Sequence, residues 1–209
     1  GGQFLVGTGV TIGVAGIATF RSGRIDVNDS LHNTSIGEGA GDAHTTGAYN
    51  VAVGSGGLGN NTTGAQNVAV GYDSLNTNTT GGYNVAVGKG ALSANTTADE
   101  NTAVGWRALV SNTTGATNTA VGSQCLETNT TGANNTAVGH RALESNTTSS
   151  NNTAIGYNTL QANTTGTTNV AVGNDALDAN TSGSANVSVG EGALSANTTA
   201  SNNTAVGMR

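Results

Sequence analysis

The sequence contains no proline, a single cysteine and few charged or aromatic residues among its 209 positions. Charged residues make up 9% of the chain and aromatic residues 3%, whereas an ordinary globular domain carries roughly 25% charged residues. The lone Cys125 excludes a framework of intrachain disulfides. Disordered chains are rich in Pro, Glu and Lys, but this chain is rich in Val, Ala, Thr, Asn and Gly. The composition therefore indicates a folded protein of unusual architecture.

Positive charge is also scarce. Only six Lys and Arg residues are present, and they are scattered along a chain whose formal net charge is −6. Binding to nucleic acid needs clustered basic residues, so we expect no nucleic-acid partner. No apolar run approaches the roughly 20 residues that span a bilayer, and we expect no membrane insertion.

What the sequence does contain is a strict 17-residue repeat, which begins at Asn33. The unit reads N-[TV]-A-V-G-x-x-A-L-x-x-N-T-T-G-x-x, and its residues are numbered here as positions 1 to 17. The period holds without insertion or deletion until the eleventh copy, which stops after its seventh position at Arg209. A period this regular is typical of solenoids, in which each copy stacks on the previous one. We therefore assign 33–209 to a solenoid of eleven repeats, the last one partial.

The residues of one unit predict β-structure. Positions 2 to 4, such as Thr102, Ala103 and Val104, alternate β-branched residues with alanine, as in a short strand. Position 5 is glycine in all eleven copies, which suggests a backbone with positive φ or a contact too close for a Cβ atom. Positions 12 to 15 usually read N-T-T-G, which is a turn signature. The fold class expected is all-β, a parallel β-solenoid or β-roll of 17-residue coils.

The repeat also predicts which positions face inward. Position 4 is always Val or Ile, and position 9 is leucine in nine of ten copies, so these two columns are the core candidates. Within 33–209 every charged residue falls at position 6, 7, 10, 16 or 17, which indicates an exposed wall. Two large side chains per coil make a thin core, and we expect a homotrimer. The alanine column at position 3 points away from positions 2 and 4, and we expect it to form the close contact between subunits.

The string N-[TV]-A-V-G-x-x-A-L resembles the head repeats of YadA-like trimeric autotransporter adhesins, whose units read roughly N-S-V-A-I-G-x-x-[SA]. The same arrays also resemble segments of phage tail-fibre and other virion structural proteins. The resemblance covers 33–209 and implies a left-handed parallel β-roll in an extended trimeric fibre. The family's usual unit is shorter than this one, which carries N-T-T-G in the extra length. No individual binding residue carries over from the family.

Residues 1–32 lie outside the period. Their apolar segments, Phe4–Val10, Val14–Phe20 and Arg24–Val27, are separated by glycines and are predicted to be short strands. We expect this region to be a β-rich N-terminal cap or shaft segment that sets the register of three chains.

Four residues at position 6 are the candidate contact site: Tyr72, Trp106, His140 and Tyr157. If the charge distribution marks the exposed wall, these side chains are also exposed and form a stripe suited to a receptor or glycan. The alternative is ordinary variation on a solvent-facing surface.

Other patterns have simpler interpretations. The recurring N-T-T triplets could accept glycans in a secretory host, or they could form a ladder of hydrogen bonds between coils; the ladder is the prediction. Columns of threonine also suggest a surface that binds ice. Adjacent threonines on an extended segment, however, point in opposite directions. Cys125 stands where alanine is usual and is predicted to be a small buried side chain.

No cofactor or metal site is expected, because there is no aspartate column and the three histidines His32, His44 and His140 are scattered. No recurring nucleophile, base and orienting group supports catalysis, so we predict that the protein is not an enzyme.

The function expected is structural: a rigid trimeric spacer or shaft of a phage tail fibre or virion appendage, with other virion or fibre proteins as partners. The alternative is a bacterial cell-surface adhesin head that binds a host receptor or glycan. An ice-binding solenoid is the third possibility. The expected location is accordingly the virion, or else the bacterial surface.

Overall fold

The computed structural model describes residues 30–209, and this part of the chain contains eleven short strands and no helix. Each strand occupies positions 2 to 4 of one repeat. The strands are Thr34–Ile36 (β1), Val51–Val53 (β2), Val68–Val70 (β3), Val85–Val87 (β4), Thr102–Val104 (β5), Thr119–Val121 (β6), Thr136–Val138 (β7), Thr153–Ile155 (β8), Val170–Val172 (β9), Val187–Val189 (β10) and Thr204–Val206 (β11). The strands expected between Phe4 and Val27 lie outside the described residues.

The eleven strands form one parallel sheet in sequence order, from β1 to β11. Every pairing has the same register, so that Thr102 lies beside Thr119 and Ala103 beside Ala120, the equivalent residues of the next repeat. The parallel β-solenoid predicted from the 17-residue repeat is therefore confirmed. At about 4.8 Å between neighbouring strands, the sheet extends over roughly 48 Å.

The core is built from leucine and alanine. The position-9 leucines of the inner coils, such as Leu109, are fully buried, which confirms that column as core. The prediction that the position-4 valines are also core is wrong: they point outward, and Val121 is 37% exposed. The alanine column at position 3 was expected between subunits, but Ala103 and Ala120 are fully buried within the chain. In a three-residue strand the middle residue faces opposite to its neighbours, and a coil already filled by leucine has room only for alanine there.

Backbone hydrogen bonds between coils continue beyond the strands. At position 9, the Leu109 amide donates to the Cys125 carbonyl of the next coil, and at position 13 the Thr113 amide donates to the Thr130 carbonyl. At position 7, the Gln124 amide donates to the Trp106 carbonyl of the preceding coil. The coils are therefore joined around most of their circumference, not only along the sheet.

Two columns of buried asparagine complete this bonding inside the coil. At position 1, Asn101 Oδ1 accepts the backbone amide of Asn118 in the next coil at 2.9 Å. At position 12, Asn112 donates through Nδ2 to Asn95 Oδ1 at 3.2 Å, and Asn129 donates to Asn112 Oδ1 at 2.8 Å. The predicted ladder of side-chain hydrogen bonds between coils is confirmed. It satisfies polar groups that would otherwise be buried without partners.

The backbone turns through left-handed conformations four times in each coil. Position 5 is glycine with φ between 123° and 141° in every copy, a region that essentially only glycine adopts, which confirms the expectation of a positive φ there. Positions 7, 9 and 17 also have positive φ, although most of their residues are not glycine. All nine position-9 leucines are in this state, with φ near 52° in Leu109. Such a conformation costs an ordinary residue about 1–2 kcal/mol, and the stacked neighbours must hold it in place.

Replacing one asparagine of the ladder should destabilise the protein measurably. We expect Asn112→Ala to lower the free energy of unfolding by about 2–3 kcal/mol, because Asn95 Oδ1 and the Gly115 carbonyl each lose a donor inside the coil. Urea unfolding followed by circular dichroism measures the change.

The matched control is Asn60→Ala. Asn60 is exposed, makes one side-chain hydrogen bond to the Asn76 carbonyl, and stands at position 11, where alanine is the residue in several other coils. We expect this variant to unfold within about 0.5 kcal/mol of the parent protein. Equal losses in the two variants would show that the buried ladder adds nothing to stability.

Candidate functional site

The four side chains of the predicted contact site are all exposed. Tyr72 is 54% exposed, Trp106 48% and Tyr157 51%, and His140 is exposed as well. They project from position 6, on the wall that carries the charged residues, and no charged side chain of the described coils is buried. The expected separation into a buried and an exposed wall is therefore confirmed.

The structure divides these four residues into two groups. His140 and Tyr157 occupy neighbouring coils, and their rings stack with centroids 5.4 Å apart and planes inclined by 11°. Tyr72 and Trp106 are two coils apart, and Lys89 lies between them in the same column. The Lys89 Nζ atom is 5.6 Å from the centroid of the Tyr72 ring. The stripe is thus a stacked aromatic pair and a separate aromatic–cation–aromatic cluster.

A shallow cavity of about 200 Å³ opens at the second group, which we call the Tyr72–Trp106 cavity. Its wall is formed by residues from positions 6, 7 and 10 of three successive coils. These are Tyr72, Asp73, Lys89, Gly90, Ser93, Trp106, Arg107 and Val110. The cavity is open at Gly90 because this residue has no side chain. A Cβ atom placed on it would have no neighbour closer than Val110 Cγ2, at 3.8 Å. Where position 7 carries Asp73 or Arg107 instead, the side chain projects at the edge of this space.

The cavity brings two of the few basic side chains together. Arg107 lies with its guanidinium carbon 5.6 Å from the Trp106 ring centroid, and its Nη2 atom is 2.7 Å from Glu127 Oε1. The same glutamate accepts a hydrogen bond from Gln124 Nε2 at 2.8 Å. Lys89 forms no ion pair with any residue of the described coils. Lys89 is therefore a cation of this cavity without an ion pair in the described coils, and the carboxylate of Asp73 lines the same cavity.

Cys125 lies on the inner side of the coil and is fully buried, as predicted. Burial raises the pKa of its thiol to about 12, so the group is a neutral thiol at physiological pH. Its Sγ atom is 3.2 Å from the carbonyl oxygens of Ala137 and Gly139. Thr159 stands at the same position and donates through its hydroxyl to the Gly173 carbonyl at 2.6 Å. The thiol therefore acts as a packing group that bonds to the next coil.

The N-T-T segments are also accounted for by contacts between coils. Asn112 is fully buried, and Thr113 Oγ1 donates to the Thr130 carbonyl at 3.0 Å. Only the second threonine, Thr114 in this coil, is exposed. The buried asparagines are inaccessible to a glycosylating enzyme in the folded chain, and the exposed threonines form a single column.

Within residues 30–209 no three His, Cys, Asp or Glu side chains stand together as metal ligands. The same residues include no helix with the length and hydropathy needed to cross a bilayer. Comparison of the chain with protein-family models, curated proteins and solved structures found no match.

Sequence reasoning identified the aromatic residues of position 6 but missed Lys89, Gly90 and Arg107. The strict period does place Lys89 in the same column, between Tyr72 and Trp106. Its contact with the Tyr72 ring and the space at Gly90 depend on the stacked structure.

Proposed function

We propose that the chain is a structural fibre segment, a rigid trimeric spacer or shaft of a phage tail fibre or virion appendage. The observation that carries this proposal is an uncharged strip along one side of the solenoid. The strip consists of the outward-facing positions 2 and 4 of β1 to β11. Each strand contributes two side chains to it, and every one of them is Val, Ile or Thr.

The strip has the character of a contact surface. It runs for the full length of the sheet, about 48 Å, and is about 10 Å wide, giving roughly 500 Å². The strip is Val or Ile at sixteen of its twenty-two positions and Thr at the other six. Its size is that of the largest apolar patch on a typical monomer, and such patches mark interaction sites. Charged residues begin only at positions 6 and 17 on either side, so the strip has an apolar centre and a polar rim, as interfaces do.

A second copy of the same strip is the occupant that fits best. The strip is regular and carries no charged residue, so copies of the chain can pack in register without leaving a charge buried between them. The number three is taken from the resemblance to trimeric adhesin heads. Covering the strip would also bury exposed side chains such as Ile155, which is 41% exposed in the single chain.

Stacking in constant register supports the role of a spacer. Each coil contacts only its neighbours, so length is set by the number of repeats and stiffness by the ladders that join them. A fibre shaft needs both properties. The alternative role, an adhesin head, is favoured by one observation, the Tyr72–Trp106 cavity on the exposed wall.

A charge placed in the strip tests the assembly. We expect the parent protein to sediment as a trimer of about 61 kDa, three times the chain mass of 20.3 kDa, and the variant Val104→Lys to lose this species. Three ammonium groups would then be buried close together, at a cost of several kcal/mol. Analytical ultracentrifugation at micromolar concentration measures the mass.

The control is Thr114→Lys, which adds the same charge to the same coil at an exposed position outside the strip. We expect it to remain trimeric. A stable monomer or dimer for the parent protein, or a trimer that persists in Val104→Lys, would contradict the proposal.

A further inference from the structure

We propose that the Tyr72–Trp106 cavity binds an acidic polysaccharide, one whose sugar rings carry carboxylate groups. The inference concerns the exposed wall and is independent of the assembly proposed above. It rests on three features of this cavity: two half-exposed aromatic side chains, an ammonium group without an ion pair among the described residues and a missing side chain.

Two aromatic side chains stand in the same column of the exposed wall. Tyr72 and Trp106 project from coils that are two steps apart, so their backbones are about 9–10 Å from each other. Half of each side chain is exposed to solvent. Tyr and Trp present a large, rigid, amphipathic surface with little conformational entropy to lose, which is why they dominate binding sites. Two such side chains in one column suit two rings of an extended sugar chain better than a single compact ligand.

The positive charges of Lys89 and Arg107 favour an anionic ligand. Lys89 stands in the coil between those of Tyr72 and Trp106 and makes no ion pair with any described residue. Arg107 lies over the Trp106 ring, with part of its guanidinium bound to Glu127. The rings hold both cations in place through their π-faces, and the N–H groups remain able to donate to a carboxylate. Asp73 also lines the cavity, and its carboxylate is an acceptor for sugar hydroxyl groups.

The missing side chain provides the space. Position 7 carries a side chain in the coils on both sides of Gly90, as Asp73 and Arg107. Gly90 has φ +70°, and Gly39 occupies the same position in the first coil with φ +66°. A Cβ atom on Gly39 would likewise have no neighbour closer than 3.9 Å. Gly39 and Gly90 therefore provide two equivalent backbone sites, only one of which lies in the aromatic–cation cluster.

Affinity electrophoresis of the full chain tests the proposal, with polygalacturonate in one native gel and neutral dextran in another. The chain has a formal net charge of −6, so general electrostatics oppose binding to a polyanion. We expect retardation by polygalacturonate and not by dextran, with a loss of retardation at high salt, since salt screens exposed charges.

The decisive pair of variants is Gly90→Gln and Gly39→Gln. Glutamine is tolerated in this backbone conformation, because Gln124 has φ 59° at the same position. We expect Gly90→Gln to fill the cavity and weaken the apparent affinity for polygalacturonate about tenfold or more, a loss typical of an interface hot spot. Gly39→Gln carries the same backbone strain and should bind like the parent protein.

Three further variants locate the contacts. Trp106→Ala and Lys89→Gln should each weaken binding about tenfold, whereas Tyr157→Ala, in the separate stacked pair, should not. Thermal melting confirms that each variant is folded. Four outcomes would overturn the proposal: no retardation of the parent protein, equal retardation by dextran, equal binding by Gly90→Gln and Gly39→Gln, or a loss in Tyr157→Ala as large as that in Trp106→Ala.

Discussion

Deleting Asn118–Asn134, one complete repeat, is expected to give a folded protein that is shorter by one coil. Thr117 then joins directly to Asn135, and every contact between coils has an equivalent partner. Gly105 stacks on Gly139 instead of Gly122, and the ladders of asparagine re-form. Even the ion pair of Arg107 has a replacement, because Glu144 occupies the position that Glu127 had.

Deleting only Asn118–Cys125 is expected to have a far larger effect. The part of this repeat that is left cannot close a full coil, so the coils before and after the deletion cannot stack on one another in register. Eight backbone hydrogen bonds outside the sheet join 101–117 to 118–134, and at about 1 kcal/mol each their loss amounts to roughly 8 kcal/mol. The two ends created by the break also expose leucine and asparagine that are buried in the intact protein.

Differential scanning calorimetry of the two deletions checks this expectation. We expect deletion of the whole repeat to leave one cooperative transition within a few degrees of the parent protein, since it removes one coil of ten. The partial deletion should melt more than about 15 °C lower or in two transitions, at about 2–4 °C per kcal/mol for a chain of this length. If both deletions were tolerated equally, stacking in register could not be what stabilises the fold.

Gly105→Ala is expected to be among the most destabilising single substitutions in the chain. A Cβ atom on Gly105 would lie 2.4 Å from the Gly122 carbonyl oxygen and 2.6 Å from its carbon, and the φ of +135° is closed to alanine. The neighbouring atoms belong to the backbone and cannot rotate away. Backbone strain of about 1–3 kcal/mol adds to the displacement of the next coil, so we expect a loss of at least about 3 kcal/mol in urea unfolding.

Gly115→Ala separates backbone conformation from crowding. A Cβ atom on Gly115 would lie only 2.2 Å from the Gly132 carbonyl oxygen, which is no less crowded than the site at Gly105. Position 15, however, has no positive φ, and it carries Ala98 and Ser149 in other coils. We therefore expect a loss of about 1 kcal/mol, the centre of the range for single substitutions. A Gly115→Ala variant as unstable as Gly105→Ala would mean that crowding, and not φ, makes glycine necessary at position 5.

Much of this fold is predictable from the sequence because its period is strict. A column of identical residues, one per repeat, can stack only in one register, which fixed the parallel pairing, the strands at positions 2 to 4 and the ladders of asparagine. The glycine at position 5 was predictable for the same reason, since eleven identical glycines indicate a backbone requirement. Leucine at position 9 was correctly placed in the core because no other large apolar residue recurs outside the strands.

The orientation of the strand was not predictable from alternation alone. Alternation says that Ala103 faces opposite to Thr102 and Val104, but it does not say which set is inside. Hydrophobicity favoured valine, whereas the structure places alanine inside because Leu109 already fills the narrow coil. The positive φ of the position-9 leucines was not predictable either, since leucine rarely adopts a positive φ and no local sequence pattern indicates one.

The candidate site was only partly predictable. Exposure of Tyr72 and Trp106 followed from the charges on the same wall, but a contact surface depends on which side chains meet across coils. The position of Lys89 against the Tyr72 ring, and the space left by Gly90, are properties of the stacked structure.

The left-handed conformation of every position-9 leucine has a consequence for how the chain folds. A single coil has these strained residues but no stacked neighbour to hold them, so it is unstable alone, and the first two or three coils must form together at a net cost. Each later coil forms against a coil that is already folded. The contacts it makes there offset the cost of its ordering as it forms. Folding should therefore follow a slow nucleation with rapid growth from a formed end, like the lengthening of a helix from its first turn.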